Sequence, residues 1–308
     1  MPDQRKKNMS DSPKINVIIN DTASGSLQAQ HGLSLVLEWQ DKKWLFDTGA
    51  GNMLIANLTK TGFQPAEMAG LILSHGHYDH TGGLAEFLNS IRKEHPHLLS
   101  PGTTVPTEDR PSFTLWHAPG IGKKRYVCHE NEPVREISMP NRCQETFRHI
   151  ASPYRQIISG FTQIDKHLFL TGPIPRISSE DCGGPFYLDP DKQQPDDISD
   201  EQSLVIRTEA GNILITGCCH AGIINTMEHC KNSGFPIHVV LGGLHLNRAS
   251  EHRLDRTVGY LNRSEARQLY LLHCTGENAM EYLTQKFNGN TRILSAGEQV
   301  VPGSLSNR

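Results

Sequence analysis

The segment 71–83, LILSHGHYDHTGG, constrains this chain more than any other stretch. Three apolar residues, Leu71, Ile72 and Leu73, lead into His75, His77, Asp79 and His80, and Gly82-Gly83 lead out. That order predicts a buried strand, a loop at its end, and a helix from Leu84 onward. A strand end holds imidazoles and a carboxylate rigidly around one point, and these ligands suit zinc and similar divalent metals. A metal so held lowers the pKa of bound water to about 7 and supplies a nucleophile at neutral pH. With 16 histidines in 308 residues, a lone His-x-His carries little weight. Three His and an Asp between a strand and a Gly pair point to a metal site.

The flanking pattern predicts the fold class. Apolar and β-branched runs over 14–20, 33–39 and 43–46 read as strands, and 52–60 as a helix. After the motif, helical spacing runs over 84–94. From 95 to 175 Pro and Gly are frequent and the strands look short (112–117, 156–164, 167–170), as in an insertion or an elaborated sheet edge. The acidic, Pro-containing segment 189–201 reads as a loop. Regular order then returns, with a hairpin over 203–216, helices over 223–231, 252–261 and 278–287, and strands over 237–241, 268–273 and 292–294. Each half opens with strands and then alternates strand and helix. The expected fold is α/β, two mixed sheets face to face with helices outside. Residues 1–13 are expected to be a disordered tail and 14–300 a single domain carrying an insertion at about 95–175.

A net charge of −3 gives no global attraction to nucleic acid or an anionic membrane, and no apolar run of about 18 residues is present. A small-molecule substrate is the expected partner. The polar N-terminus lacks the apolar core of a secretory signal. Seven cysteines, an odd number with no CxxC pair, point to reduced thiols, a cytoplasmic home and no zinc ribbon.

Three later histidines repeat the logic of the motif. His220 follows the strand in ILITGCCHAG, His245 follows the strand 237–241 in IHVVLGGLHL, and His273 ends the strand 269–272 in LYLLHCTG. Loops at strand ends are where sites in sheet proteins gather. Asp47, in LFDTG, is placed to orient a ligand histidine through its second ring nitrogen, or to serve as a turn residue. Asp21 raises the same question. Cys218 and Cys219 precede His220; a thiolate there could bind metal, but small buried thiols are the expectation, as for Cys274. His95, His97, His129, His149, His229 and His252 lie in polar or irregular segments and read as surface residues; His31 and His117 stay open.

HGHYDH with the upstream FDTG resembles the metallo-β-lactamase fold superfamily. HGLSLVLEW, GPIPR, DEQSLVI, TGCCHAGIIN, LGGLHL and HCTG narrow the likeness to one branch. That branch includes archaeal dihydropterin–ribofuranosylaminobenzene phosphate synthases and many bacterial relatives of unassigned substrate. The resemblance implies an αββα sandwich with metals at one edge of both sheets. It implies His75, His77 and His220 on a first metal, and Asp79, His80 and His273 on a second. Hydrolytic members of the superfamily usually add a bridging Asp at the end of the strand after the third His. Here that strand ends in Leu241-Gly242-Gly243, with His245 the nearest replacement. The missing Asp counts against a lactonase or glyoxalase-type activity. His77, standing where diiron oxygen-reducing relatives carry Glu, counts against that chemistry.

Three functions compete. The first is a hydrolase using metal-activated water, with one or two zinc ions (iron and manganese also suit the ligands) and Asp79 helping to position the water. Phosphate esters are favoured because the middle region is basic, from Lys123, Lys124, Arg125, Arg135, Arg142, Arg148 and Arg155 to Arg176. Arg176 is chosen there as a substrate-binding residue. The second is a transferase joining a pterin alcohol to an aromatic ribose phosphate, with the middle region as lid. The third is a non-catalytic metal or ligand sensor.

Overall fold

The structure is a computed structural model that describes residues 12–102, 112–178, 180 and 184–303; residues 1–11 of the expected tail lie outside them. The chain opens with β1 (Lys14–Ile19), β2 (Ser34–Trp39) and β3 (Lys42–Phe46), an antiparallel run. Helix α1 (Met53–Lys60) crosses over to β4 (Met68–Ile72), which pairs parallel to β3. The loop after β4 carries the histidine motif into α2 (Tyr78–Thr81) and α3 (Leu84–Ser90). Next come β5 (Thr114–His117), the short β6 (Tyr126–Val127) and β7 (Arg135–Glu136), and α4 (Asn141–Arg148). β8 (Arg155–Ile157) is the far edge of the first sheet, while β9 (Thr162–Asp165) and β10 (Leu168–Leu170) begin the second. β11 (Phe186–Tyr187) joins β6 and β7 in a small third sheet.

The second half runs β12 (Leu204–Thr208), β13 (Gly211–Thr216), α5 (Ile223–Asn232), β14 (Ile237–Gly242), α6 (Glu251–Arg263), β15 (Gln268–Leu271), α7 (Glu277–Lys286) and β16 (Asn290–Ile293). The final strand, β17 (Gln299–Val300), returns to pair with β1. The two large sheets have seven strands each, ordered β17-β1-β2-β3-β4-β5-β8 and β16-β15-β14-β13-β12-β10-β9.

Alternation along the strands explains the layers. In β13, Ile213 and Ile215 point into the core between the sheets, where they meet Leu35, Phe46 and Ile72, while Leu214 points under the outer helices with Ile223, Met227 and Leu261. Both faces of the strand are apolar and buried, as a central strand between two layers requires. Burying one such side chain stabilises by about 1.5–3 kcal/mol. A second core lies under α1, α3 and α4, around Phe87, Phe113 and Leu115. The αββα architecture expected from the alternating pattern is the architecture observed.

Several local expectations change. The segment 156–164 is two strands, not one: the chain leaves the first sheet at Ile157, bends at Gly160-Phe161 and enters the second at Thr162. α3 stops at Ser90 rather than continuing to 94, because Asn89 and Ser90 turn their side chains back onto the carbonyls of Ala85 and Phe87 and compete with the helix ladder. The 95–175 region supplies strands to both large sheets and the helix α4, whose Cys143 and Phe147 are buried in the α1/α3 core. His95, read as a surface residue, is buried against Phe113 and Tyr154. No helix among the described residues is long and apolar enough to cross a membrane.

Candidate metal centre

Every parallel strand in the middle of the two sheets ends at the same edge. β3 delivers Asp47, β4 delivers Ser74 to His80, β13 delivers Cys218 to His220, β14 delivers His245, and β15 delivers His273. Four of these loop residues hold positive φ without being glycine: Asp47 (57°), Cys219 (61°), His245 (48°) and His273 (48°). Such conformations cost of order 1–3 kcal/mol each and survive only where surrounding structure fixes them. Between the first two histidines, Gly76 is obligatory. A Cβ there would stand 2.0 Å from the Ile121 carbonyl oxygen and 2.5 Å from the Arg125 guanidinium.

The side chains converge in two groups. His75 Nε2 lies 3.0 Å from His77 Nδ1 and 3.2 Å from His220 Nε2. One imidazole nitrogen carries at most one proton, so it cannot satisfy both neighbours as a donor. Burial pushes the pKa of all three rings well below the usual histidine value and keeps them neutral. In the second group, Asp79 Oδ2 lies 3.4 Å from His273 Nε2 and 3.9 Å from His80 Nε2. Burial pushes the Asp79 carboxyl up, but His80, His273 and His31 outweigh it and hold it well below the usual carboxylate range. His77 Nε2, His220 Nδ1, His245 Nδ1 and His273 Nε2 are buried with no hydrogen-bond partner. Burial pulls the His273 pKa down, but Cys274, Asp21 and Asp79 outweigh it and hold it well up. Three neutral imidazoles facing one another, beside an ionised carboxylate, fit a divalent cation.

Asp47, fully buried, faces the far side of this cluster. Its Oδ2 lies 2.6 Å from His80 Nδ1 and accepts the Ser74 hydroxyl at 2.6 Å, while Oδ1 accepts the Ser74 amide at 2.7 Å. His273 Nδ1 has Asp21 Oδ1 at 2.9 Å, and the same oxygen lies 3.2 Å from His31 Nδ1. His31 Nε2 in turn reaches 3.4 Å from Asp79 Oδ2. Asp21 first, then Asp79, raise the His31 pKa to about 9.

Other sequence expectations move. Cys218, expected as a small buried thiol with metal binding the lesser alternative, puts its sulfur 3.1 Å from His80 Nε2, and within 4.8 Å of the donors of both groups: Asp79, His80 and His273 on one side, His75 and His220 on the other. It also shares a third group with His245 and Cys274. The only signal for it was its place at the end of β13, two residues before His220. His245 stacks 4.3 Å from the His220 ring centroid but does not stand between the two groups. Arg176 is exposed, with its guanidinium on the Asp197 carbonyl, and it does not line the cavity above the cluster. Arg125, counted in the basic middle region, is fully buried. The end of the acidic loop is buried too: Glu201 accepts the backbone amides of His220 and Ala221, which clamps the His220 turn, and burial lifts its pKa to about 7.

The cluster floors a cavity of about 300 Å³, lined also by His31 and Tyr78, by Phe186 on β11, by Ile137 just after β7, and by the loop 245–248. His129, read as a surface residue, also lines it.

The family model of the metallo-beta-lactamase superfamily matches residues 29–122. An uncharacterized protein of Methanocaldococcus jannaschii is 30% identical over 274 residues, 89% of this chain and 95% of its own length. The 7,8-dihydropterin-6-methyl-4-(beta-D-ribofuranosyl)-aminobenzene-5'-phosphate synthase of the same organism is 28% identical over 300 residues, 94% of this chain and 96% of that one. Among solved structures, a metal-dependent hydrolase of the beta-lactamase superfamily shares 26% identity at a TM-score of 0.73, covering 94% of this chain and 98% of that one. With this fold, this convergence of donors at one sheet edge and these relatives, the chain belongs to the metallo-beta-lactamase superfamily.

Proposed function

We propose that the chain is a metal-dependent hydrolase of small phosphate esters, with zinc held by His75, His77 and His220 in one position and by Asp79, His80 and His273 in the other. The observation that carries this reading is the pair of donor groups meeting at Cys218 beneath an open cavity. When bound, such ions polarise a phosphoryl or carbonyl oxygen and acidify a water to near neutral pKa. The chain's residues prepare the rest. Burial keeps the three facing imidazoles unprotonated, so their lone pairs are available. Asp79 supplies one negative charge at the shared edge. Cys218 takes the place between the two groups that a bridging Asp would fill, so Leu241-Gly242-Gly243 and His245 are not needed for that role. The apolar side chains of Phe186 and Ile137 cover one wall and thin out competing water. Six free thiols among the described residues suit a reducing, cytoplasmic setting.

The test is metal content per chain beside hydrolysis of a nitrophenyl phosphate. The wild type is expected to hold roughly two ions, as in paired hydrolytic centres. His80→Ala and His220→Ala should each lose about one ion and at least ~10³-fold in rate, since the cation supplies several kcal/mol and each 1.4 kcal/mol is tenfold. A metal-replete wild type inert toward every ester would sink the hydrolase reading.

The supporting residue gives a second expectation. Asp47→Ala should weaken metal binding about 10–100-fold in competition with a chelator while the chain stays folded. Unchanged affinity would make Asp47 a turn residue and no more.

A transferase is the second reading, favoured by the 28% identity over 300 residues to a synthase. The product separates the two: a coupled adduct for the transferase, a simple alcohol and phosphate for the hydrolase.

A further inference from the structure

The same cavity is lined by Arg253, two of whose guanidinium nitrogens have no hydrogen-bond partner among the described residues. α6 begins at the N-cap Ser250, whose side chain accepts the backbone amide of Arg253. Arg253 thus sits at the third helical position, where Glu or Gln would complete a capping box. The positive end of the helix dipole disfavours a cation there. Arg253 Nε and Nη2 are nevertheless buried and, among the described residues, have no hydrogen-bond partner. Buried guanidinium N–H groups left unbonded cost more than an ordinary hydrogen bond returns, so the position is unfavourable for folding alone. Glu180 lies within electrostatic reach; burial raises its carboxyl pKa and Arg253 only partly pulls it back.

Two more arginines reach the same cavity. Arg248, five residues before Arg253, is anchored by Glu132 Oε1 at 2.9 Å, and Arg135 stands on the exposed strand β7. Asn247 adds an amide to the same cavity. Guanidinium groups and a helix N-terminus together match the oxygens of a phosphate.

We infer that Arg253, with Arg248 and Arg135, forms an anion subsite that anchors a phosphate of the substrate beside the metal centre. The inference rests on the proposed function in sharing its cavity, and it replaces Arg176 as the phosphate contact. The substrates it selects carry a phosphate besides the bond that is cleaved.

Calorimetric titration of the purified, metal-containing protein with inorganic phosphate tests it. Arg253→Gln should bind phosphate about 10- to 100-fold more weakly, the loss of one or two charge-assisted hydrogen bonds, with metal content unchanged. Arg253→Lys should fall between, because a point charge does not reproduce the fork. Should Arg253→Gln fail to fold, Arg135→Gln on its exposed strand takes its place, with a weaker loss expected. Equal phosphate affinity in wild type and variant overturns the subsite: the anion then sits on the metals alone, and the hydrolase reading survives. If the isolated protein holds no metal and cleaves no ester, yet phosphate affinity still falls in Arg253→Gln, the hydrolase reading fails and the subsite stands.

Discussion

Arg125→Met is expected to destabilise the protein by about 3–5 kcal/mol, the cost of leaving buried charges without their partner. Arg125 is fully buried, with Nε on Asp196 Oδ2 at 2.7 Å and Nη1 on Asp200 Oδ2 at 3.1 Å; Nη2 donates to Asp200 Oδ1. Asp200 Oδ2 also accepts the Gly76 amide at 2.9 Å, in the middle of the histidine motif. One guanidinium therefore ties the 120–140 region and the end of the acidic loop to the peptide that carries His75 and His77. Burial pushes the Asp200 carboxyl up, and Arg125 pulls it back. Without the arginine, Asp200 would take a proton at neutral pH or remain a lone charge, and either state loosens the Gly76 contact. Urea unfolding measures the loss. Arg125→Lys should recover little, since a bidentate geometry is at stake. Adding Asp196→Asn and Asp200→Asn to Arg125→Met should return part of the stability, because removing all the charges is cheaper than stranding two of them. A single Arg125→Met within about 1 kcal/mol of wild type, the value of an exposed pair, would show that the network holds nothing.

The contrast between Arg125 and His75 shows what a sequence discloses. The histidine motif was legible because its chemistry is local: strand, donors and Gly pair lie within one short segment, and periodicity fixes where the strand ends. The sheet order was legible in outline for the same reason, since β13, β14 and β15 alternate regularly with α5, α6 and α7. Arg125 reads only as part of a basic region, and Asp200 and Glu201 as part of an acidic loop, because their partners are remote in the chain: Arg125 meets Asp200 across 75 positions, and Glu201 meets His220 across 19. Charge composition cannot separate a surface cation from one buried against two carboxylates. β6, β7 and β11 are two residues long and give no periodic signal at all. His31 stayed open because its role depends on Asp21 and Asp79 meeting in space.

Cys218→Ala should remove the second metal and leave the first weakened, and the prediction separates two accounts of how this chain manages without a bridging carboxylate. In one, His245 substitutes; in the other, the sulfur of Cys218 does. The geometry favours the sulfur, which stands within reach of both donor groups, whereas His245 shares a group only with Cys218 and Cys274. Burial pushes the Cys218 thiol well up, so without a cation it keeps its proton. A divalent cation reverses that preference, since a coordinating thiol is deprotonated outright. Cobalt(II) in place of zinc reports the bond directly, through a near-ultraviolet thiolate-to-cobalt charge-transfer band. The wild type should show the band and Cys218→Ala should not. Metal affinity in the alanine variant should fall by more than the roughly 10–100-fold expected for a residue that only supports a ligand. Cys218→Asp should restore two cobalt ions without the band, because a carboxylate bridges two hard cations as well as a thiolate does. His245→Ala should change the cobalt stoichiometry little. A band that persists in Cys218→Ala would move the ligand to Cys274, whose sulfur lies within 4.8 Å of the same group. Loss of the second ion in His245→Ala with Cys218→Ala unaffected would give the bridge to the histidine.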